Sequence, residues 1–561
     1  MPASSAQTPV AEDGQTPGTT APAGPRAPRS RRRRRWGTAA VWALGVIAAF
    51  ACYLLLARTR AVNSDGASNA LQAWDMLHGN PLLRGWSLSD VSFYTTELPQ
   101  YMLVELVRGL NQDVVHVAAA MTYTLAVLLA ALLAKGDATG RQALVRVLIT
   151  VGIMLAPQLA SGVNILLSSP DHIGTSVPVM LAWLILDRAE GSRPRSYVPV
   201  VVGLLLGWAE VADMLVLYIG VLSLAGVCAV NAGRAVVAER KPLASQWYPA
   251  ALAAAAAGAA AAVLALHAIH ARGGFYMPAP AAQIVGSGTA LLHNLGIAGQ
   301  GLLLLGGADF LGLPVTASAG FIVLHVVGVG LAAWGTGLAA LRFLRDRDLA
   351  AQLLVTSVAV NLAIYVLSNK SAVLTQTREI APVLPFAAAL AGRLLGPRLL
   401  GPRLLAGRLK AAMRFGLAPV LAVAGAGYLA GLAREISQPP APAQNSALAS
   451  WLEARHLRTG LSGYWESNIV TLTSGDLVQV RTVNVSARGR ITPSVLEAKE
   501  QWYDPGRGAA TFVVFSPGVP GYRGFTQEGA VLAAFGRPAR TYHVGAYTVL
   551  VWHGNLLRKL G

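Results

Sequence analysis

The sequence predicts a mostly α-helical protein: a polytopic membrane bundle of about 11 transmembrane helices with a small C-terminal α/β extracytoplasmic domain. Three observations lead there. Hydrophobic residues make up 54% of the 561 residues and charged residues only 13%, whereas soluble domains have about 25% charged residues. Apolar segments recur along the first three quarters of the chain. After them the pattern changes to short strands and amphipathic helices.

Residues 1–35 are rich in Pro, Ala, Gly, Ser and Thr and end in the arginines 31–35. This composition predicts a disordered basic cytoplasmic tail. The apolar segment 36–56 that follows lacks a clear cleavage site, so it is interpreted as a retained signal anchor. The net charge of +18 does not indicate nucleic-acid binding, because many basic residues lie in short loops between apolar segments, where they orient helices.

The region 36–436 is predicted to be the transmembrane domain. Lys and Arg concentrate in alternate loops, which places the N-terminus in the cytoplasm and the C-terminal domain outside the cell membrane. The segment 271–318 is apolar and rich in glycine, and it is interpreted as a re-entrant or interfacial segment. The predicted spans are 37–57, 113–134, 146–166, 174–187, 197–210, 212–230, 247–268, 319–341, 350–367, 380–396 and 415–433.

Residues 437–561 are predicted to form the extracytoplasmic α/β domain, after a linker rich in Pro and Ala at 438–444. Alternating apolar residues and turn signals predict its strands, and helical periodicity predicts its helices. The predicted helices are 446–456 and 527–535, and the predicted strands are 460–465, 477–485, 510–515 and a final hairpin at 540–552.

The first predicted outer loop is about 55 residues long, more than a simple connection needs, and it places carboxylates directly after a membrane helix. Charged groups near hydrocarbon are costly and are usually functional. Residues 67–77 are predicted to form a helix, with Asp65 just before it and Asp75 near its end. Asp65 could instead be only an N-cap that accepts a backbone hydrogen bond.

The loop contains the motif residues Ser64-Asp65-Gly66, Trp74-Asp75, Leu77 and Gly79-Asn80-Pro81. With this motif it resembles the integral membrane glycosyltransferases of the GT-C superfamily, especially actinobacterial ones. The resemblance extends over the membrane part, and an exported C-terminal domain fits the same architecture. It implies that the donor is a polyprenyl-phosphate-linked sugar and that an acidic residue of the first outer loop is the base that accepts a proton from the acceptor hydroxyl. That role falls to Asp65, with Asp75 as the weaker candidate.

Other polar residues of the predicted outer side are candidates for contacts with substrate. Asp171 and His172 precede a predicted helix. The resemblance implies that they line the donor pocket; the alternative is that Asp171 or Thr175 only caps the helix. Glu97 and Tyr101 could shape the acceptor site, although aromatic residues are expected at a membrane interface. A guanidinium can bind phosphate through two hydrogen bonds, so Arg378, with Lys370 as helper, is the candidate for the donor phosphate; a local ion pair is the alternative.

The predicted function is therefore an inverting membrane glycosyltransferase that moves a sugar from a polyprenyl-phosphate donor to a cell-envelope glycan, lipid or protein acceptor on the extracytoplasmic side of the plasma membrane. The alternative is a polytopic transporter or a flippase for a lipid-linked substrate. No metal ligand is assigned, although a divalent cation is possible. The Asp346-Arg347-Asp348 sequence lies in a short predicted cytoplasmic loop, which disfavours a nucleotide-sugar donor.

Overall fold

The computed structural model describes residues 29–155, 165–168, 172–190, 196–243, 247–278, 282–311, 317–400, 408–443, 445–516, 518–519 and 522–561. Residues 49–561 form one unit, and residues 1–48 form another, whose described part is helical. The first helix, Arg29–Arg58, begins before the predicted residue 37. Arginine is a good helix former, so the basic run extends the apolar helix. The predicted disorder of residues 1–28 lies outside the described residues.

Helices account for most of the described chain up to residue 436. Two of them, Ser64–Leu77 and Leu98–Arg108, belong to the loop after the first helix. The others are Asp113–Lys135, Gly140–Met154, Ser176–Glu190, Tyr197–Ala212, Leu217–Glu239 with a π-helical first part, Tyr248–Ala271, Gly288–Leu305, Ala317–Arg342, Leu349–Leu367, Val383–Leu400 and Arg408–Ile436. Short 3-10 helices at Asn369–Ala372 and Leu374–Ile380 connect two of these.

The predicted number of eleven spans is not confirmed. In the described part of the chain, seven helices are long and apolar enough to cross a bilayer, and a bent pair, Leu374–Ile380 with Val383–Leu399, would make an eighth. Three predicted spans correspond to helices of 15 or 16 residues, shorter than the ~20 residues that cross the hydrocarbon core. The seven are Ala39–Arg58, Asp113–Lys135, Leu217–Glu239, Tyr248–Ala271, Gly288–Leu305, Ala319–Arg342 and Leu349–Leu367.

Helix Gly288–Leu305 was not predicted as a span and lies within the segment interpreted as re-entrant or interfacial. Asn294, near its start, donates hydrogen bonds to the backbone oxygens of Val366 and Ser368, at the end of helix Leu349–Leu367. Just after its end, Gly306 lies against Val329, in the middle of helix Ala317–Arg342. The glycines and polar residues of this helix weaken the apolar helical pattern. The sequence analysis therefore did not predict it as a membrane span.

Two sets of polar contacts mark opposite ends of the membrane bundle. Asp113, at the start of helix Asp113–Lys135, pairs with Arg58 at 2.7 Å. Beyond the other end of that helix, Arg393 pairs with Asp187 and Asp348, each at 2.7 Å. We call the first end the Asp65 side. The candidate residues of the predicted outer side that are described below all lie on the Asp65 side.

The C-terminal α/β region, residues 446–561, contains a six-stranded sheet in the order Ile491–Pro493, Gln479–Val485, Thr459–Ser462, Phe512–Phe515, Tyr547–Val551 and Arg540–Val544. The strands Gln479–Val485, Thr459–Ser462 and Phe512–Phe515 are parallel, and the other pairings are antiparallel. Apolar clusters that include Leu461 and Val480 form its core. Its helices are Ser446–Ala454, Tyr464–Thr473 and Glu528–Phe535, in line with the predicted small α/β fold.

The loop after the first helix is attached to the C-terminal α/β region. A short strand, Trp86–Ser87, pairs antiparallel with the strand Ala498–Lys499. Helix Tyr464–Thr473 packs against helix Ser64–Leu77, and Ile469 and Leu472 join the apolar core of the loop. The loop and the C-terminal region therefore lie on the same side of the membrane bundle.

Candidate functional site

Asp65 lies in the first turn of helix Ser64–Leu77, and its side chain is not the cap of that helix. Asn63 is the N-cap residue, and its side-chain oxygen accepts a hydrogen bond of 2.8 Å from the Gly66 amide. The local reading of Asp65 as an N-cap is therefore wrong. Asn63, Ser64 and Asp65 are all capping residue types, and capping by Asn63 leaves the Asp65 carboxylate available for other partners.

Two side chains from distant parts of the chain contact the Asp65 carboxylate. The hydroxyl of Tyr464, in the C-terminal α/β region, donates a hydrogen bond of 2.5 Å to Oδ1. Nη1 of Arg378 donates to Oδ2 at 3.4 Å. The Asp65 side chain keeps 20% of its exposure, and that of Arg378 keeps 39%. A carboxylate has about four lone-pair sites, so Asp65 can still accept a proton from a bound hydroxyl.

The cations that were predicted to bind phosphate lie on the segment between helices Leu349–Leu367 and Val383–Leu400. Arg378 is in the 3-10 helix Leu374–Ile380 and reaches Asp65. Lys370 pairs with Asp90 at 2.7 Å and lies 3.9 Å from Glu379. Glu379 directly follows Arg378 in the chain. Lys370 therefore lies close to the segment that contacts Asp65, while its own ion-pair partners are Asp90 and Glu379.

His172 is the centre of a second, more buried cluster. Its Nδ1 lies 2.6 Å from Oδ2 of Asp213, and its Nε2 lies 3.1 Å from Oε2 of Glu379. Burial alone lowers the pKa of His172, but the charges of Asp213 and Glu379 outweigh it, so the pKa lies well above its usual value. The imidazole is therefore a cation held between two carboxylates at neutral pH.

Glu97 is buried beside this cluster, with 2% of its surface exposed. It accepts a hydrogen bond from Thr96 and touches the backbone at Gly174, where any Cβ would collide with its Oε1. Burial, with a smaller contribution from the Asp213 charge, raises the pKa of Glu97 to about 8. The Glu97 carboxyl is therefore mostly protonated at neutral pH. Its contact with Gly174 supports the loop that holds His172.

Two residues that were predicted to contact substrate, Asp75 and Tyr101, have partners within the protein. Asp75 lies about 15 Å further along the helix than Asp65, and it accepts hydrogen bonds from Asn80 at 2.6 Å, Trp86 at 2.8 Å and Lys499 at 2.9 Å. These contacts tie the loop to the C-terminal α/β region. Tyr101 is 1% exposed and packs in the apolar core of the loop. Asp171 lies outside the described residues.

Tyr464 and Glu497 are the residues that the sequence did not reveal. Tyr464 lies within a predicted strand, and it begins a helix instead. Glu497 is 5% exposed, and its Oε2 is in hydrogen-bond contact with the Tyr464 hydroxyl. Neither position shows a motif, because the contact joins residues about four hundred positions apart in the chain. Among the described residues, no group of three His, Cys, Asp or Glu side chains has a geometry for binding a metal.

Removal of the His172 imidazole should destabilise the protein strongly. In His172→Ala the nearly buried Asp213 carboxylate loses its cation, and breaking a buried pair from one side costs about 3–5 kcal/mol. Because the pKa of His172 is raised in the folded state, the loss should be largest below the unfolded-state pKa of about 6.5 and should shrink as pH rises. Thermal unfolding in detergent measures it.

The matched control is His78→Ala, which removes an exposed imidazole that bonds only locally to the Trp74 carbonyl. This variant should unfold within a degree or two of the wild type, since surface substitutions typically change stability by less than ~0.5 kcal/mol. Equal unfolding midpoints for the two variants would contradict the ion-pair assignment.

The membrane helices and the C-terminal α/β region define the fold of a polytopic membrane protein. The structure is similar to that of ArnT from Cupriavidus metallidurans bound to undecaprenyl phosphate, with a TM-score of 0.52 and 13% identity over 94% of this chain and 99% of ArnT. ArnT in the apo state gives a TM-score of 0.51 and 14% identity over 93% and 99%. The resemblance to GT-C enzymes is thus confirmed at the level of fold.

A further match is to the archaeal oligosaccharyltransferase AglB from Archaeoglobus fulgidus in complex with an inhibitory peptide and a dolichol-phosphate. It has a TM-score of 0.45 and 13% identity, over 84% of this chain and 69% of AglB. No family model matches the sequence. No curated protein matches it either.

Proposed function

We propose that this protein is an inverting membrane glycosyltransferase that uses a polyprenyl-phosphate-linked sugar and transfers the sugar to a hydroxyl of a cell-envelope acceptor. The observation that supports this most is the partly exposed Asp65 carboxylate, which follows the first membrane helix and faces a guanidinium. The similarity in fold to ArnT, whose structure holds undecaprenyl phosphate, supports a lipid phosphate as the leaving group. We further propose that the Asp65 side is extracytoplasmic.

In the proposed reaction, the acceptor oxygen attacks the anomeric carbon while the bond from that carbon to the phosphate oxygen breaks. The polyprenyl phosphate leaves with the bonding electron pair, and Asp65 takes the proton of the acceptor hydroxyl. A positioned carboxylate suits this task because proton removal during attack avoids a charged intermediate. One displacement of this kind inverts the configuration of the sugar carbon and needs no covalent enzyme intermediate.

Arg378 is placed to neutralise the leaving phosphate. Its side chain is within 3.4 Å of the base and is still 39% exposed, so it can turn toward a phosphate with two parallel hydrogen bonds. Lys370 supplies a second positive charge on the same segment. Since negative charge builds up on the phosphate as the bond breaks, these cations favour the transition state as well as donor binding.

Donor and acceptor identity can be tested with purified protein in detergent. Polyprenyl phosphates carrying different radiolabelled sugars are mixed with extracted cell-envelope glycans and lipids, and both the labelled product and free polyprenyl phosphate are measured. A transferase releases polyprenyl phosphate and forms labelled product without a sealed compartment. A flippase would leave the donor intact in detergent and would only move it across the bilayer of sealed vesicles, and that result would replace our proposal with the transporter alternative.

Replacement of Arg378 by alanine should raise the Michaelis constant for the donor about 10–100-fold, because a hydrogen bond to a charged group contributes about 1.5–3 kcal/mol. Arg378→Lys should recover part of the loss, since lysine keeps the charge but lacks the planar fork. Steady-state kinetics with varied donor measures both. Arg84→Ala, which removes an exposed arginine of the same loop as Asp65, is the control. An unchanged constant for Arg378→Ala would remove Arg378 from the donor site.

A further inference from the structure

The C-terminal α/β region supplies Tyr464 to the carboxylate proposed as the base, and Glu497 to Tyr464. Tyr464 donates to Asp65 Oδ1 at 2.5 Å and is also in hydrogen-bond contact with Oε2 of Glu497. The Ser64 hydroxyl, next to Asp65, donates to the Tyr464 backbone oxygen. The start of helix Tyr464–Thr473 therefore contacts both the side chain of Asp65 and that of the residue before it.

The backbone around Glu497 is built to present this carboxyl. Glu497 has a φ of 47°, a left-handed conformation that residues with a Cβ adopt only at a cost. The flanking backbone is fixed by the first loop. Ser87 Oγ donates to the Val495 oxygen at 2.6 Å, and the Glu500 amide donates to the Gly85 oxygen at 2.8 Å. The pairing of the two segments thus holds a conformation that aims Glu497 at Tyr464.

The hydrogen bonds among these three residues need one additional proton. A phenol has a single proton, while two ionised carboxylates can only accept. Glu497 is 5% exposed, and its Oε2 contacts the Tyr464 oxygen directly, so the missing proton must lie between these two oxygens. The groups that face Glu497 are Tyr464, Asp65, Ser68 and Arg378. If Glu497 is a carboxylic acid, it donates to the Tyr464 oxygen, Tyr464 donates to Asp65, and every group is satisfied.

The electrostatics agree with this arrangement. Burial, followed by the charge of Asp65, raises the pKa of Glu497 to about 8, while Tyr464, Ser68 and Arg378 act in the opposite direction. Burial and the two carboxylates raise the pKa of Tyr464 well above its usual value, so the phenol keeps its proton. At neutral pH the extra proton thus belongs to Glu497.

We propose that Tyr464 and Glu497 are positioning residues for the transfer reaction: the Glu497 acid donates to Tyr464, and Tyr464 donates to Asp65, which orients the base and keeps it ionised. The inference rests on the proposed function. Its consequence is that the C-terminal α/β region forms part of the catalytic machinery. When Glu497 ionises, Tyr464 has two anionic acceptors for its one proton, so Asp65 loses its fixed donor and transfer slows.

The test is the pH dependence of kcat in the full-length protein. Wild-type kcat should fall as pH rises through about 8. Glu497→Gln keeps a donor for the Tyr464 oxygen and cannot ionise, so its kcat at neutral pH should stay within about 3-fold of the wild type and the alkaline fall should disappear. Tyr464→Phe should lower kcat about 10–100-fold, the value of a hydrogen bond to a charged group, with an unchanged Michaelis constant for the donor.

Glu105→Gln is the matched control, because Glu105 is another buried carboxyl whose pKa is raised by burial, to about 9, on the neighbouring helix Leu98–Arg108. It should keep the wild-type kcat and the alkaline fall. An alkaline fall that persists in Glu497→Gln would overturn the proposal, as would an unchanged kcat in Tyr464→Phe.

Infrared spectroscopy provides a readout that does not depend on transfer. The difference spectrum of the wild type minus Glu497→Gln should show a protonated carboxyl band at pH 7 that is lost on titration through about 8, because the other buried carboxyls, Glu97 and Glu105, contribute equally to both spectra and cancel. If no donor reacts while this band behaves as expected, the proposed function fails and the hydrogen-bonded chain stands. If transfer occurs but the Glu497→Gln spectrum equals that of the wild type, the chain is wrong and the function stands.

Discussion

An Asp65→Asn variant should fold and insert as the wild-type protein does but transfer sugar ~10²–10⁴-fold more slowly, the usual contribution of a general base. Asparagine has the same shape, and its side-chain oxygen can still accept from Tyr464. It cannot take a proton from the acceptor hydroxyl. The kcat for transfer from a labelled polyprenyl phosphate glycoside, measured in detergent, tests this directly.

The structural cost of Asp65→Asn should be small. The ion pair with Arg378 is 3.4 Å long and partly exposed, and such pairs contribute about 0–1 kcal/mol. The unfolding midpoint and donor binding should therefore stay close to wild type while kcat collapses. A rate within 3-fold of wild type would reject Asp65 as the base.

Asp75→Asn is the informative contrast, since it changes the other acidic residue of the same helix. Its carboxylate pairs with Lys499 at 2.9 Å and accepts from the Trp86 indole at 2.8 Å. We expect this variant to lose stability, because the loop is less firmly tied to the C-terminal α/β region, and to keep most of its kcat. A collapse of kcat in Asp75→Asn with retained stability would exchange the roles of the two residues.

The position of Asp65 could be predicted from the sequence because the cost of placing a charge near hydrocarbon depends on the neighbouring residues in the chain. A carboxylate next to a long apolar segment is conspicuous in a chain with so few charges. Its alternative role as a cap was excluded only by the structure, which shows Asn63 in that role. Helix ends are uncertain by one or two residues, and here that difference separates a capping residue from a candidate base.

Tyr464 and Glu497 could not be predicted in the same way. Their contact with Asp65 depends on how the strand Trp86–Ser87 pairs with Ala498–Lys499, and a single sequence has no signal for the register of such short strands. Glu497 also has a left-handed backbone in a position where glycine would be the usual residue. Backbone preferences of single residues do not predict this conformation, because the pairing with the strand Trp86–Ser87, far away in the chain, holds it in place.

Gly207→Leu should prevent the correct assembly of the membrane bundle, with a loss of at least about 2 kcal/mol from overpacking. Gly203 and Gly207 lie four residues apart on one face of helix Tyr197–Ala212, the small-residue spacing that lets membrane helices approach closely. A Cβ on Gly207 would fall within 3.0 Å of the carbonyl group of Gly258, on helix Tyr248–Ala271. Backbone cannot yield as a flexible side chain can, so the two helices must separate.

The separation should also reach the candidate site. Asp213 directly follows helix Tyr197–Ala212 and holds His172, and Ser92 bonds to the Val211 oxygen at 2.8 Å. Gly207→Leu should therefore lower both the unfolding midpoint and the transfer rate. Gly226→Leu is the matched control, because nothing lies within 4 Å of a Cβ at that membrane-helix position. A Gly207→Leu protein with the midpoint of Gly226→Leu would show that the two helices do not need this close contact.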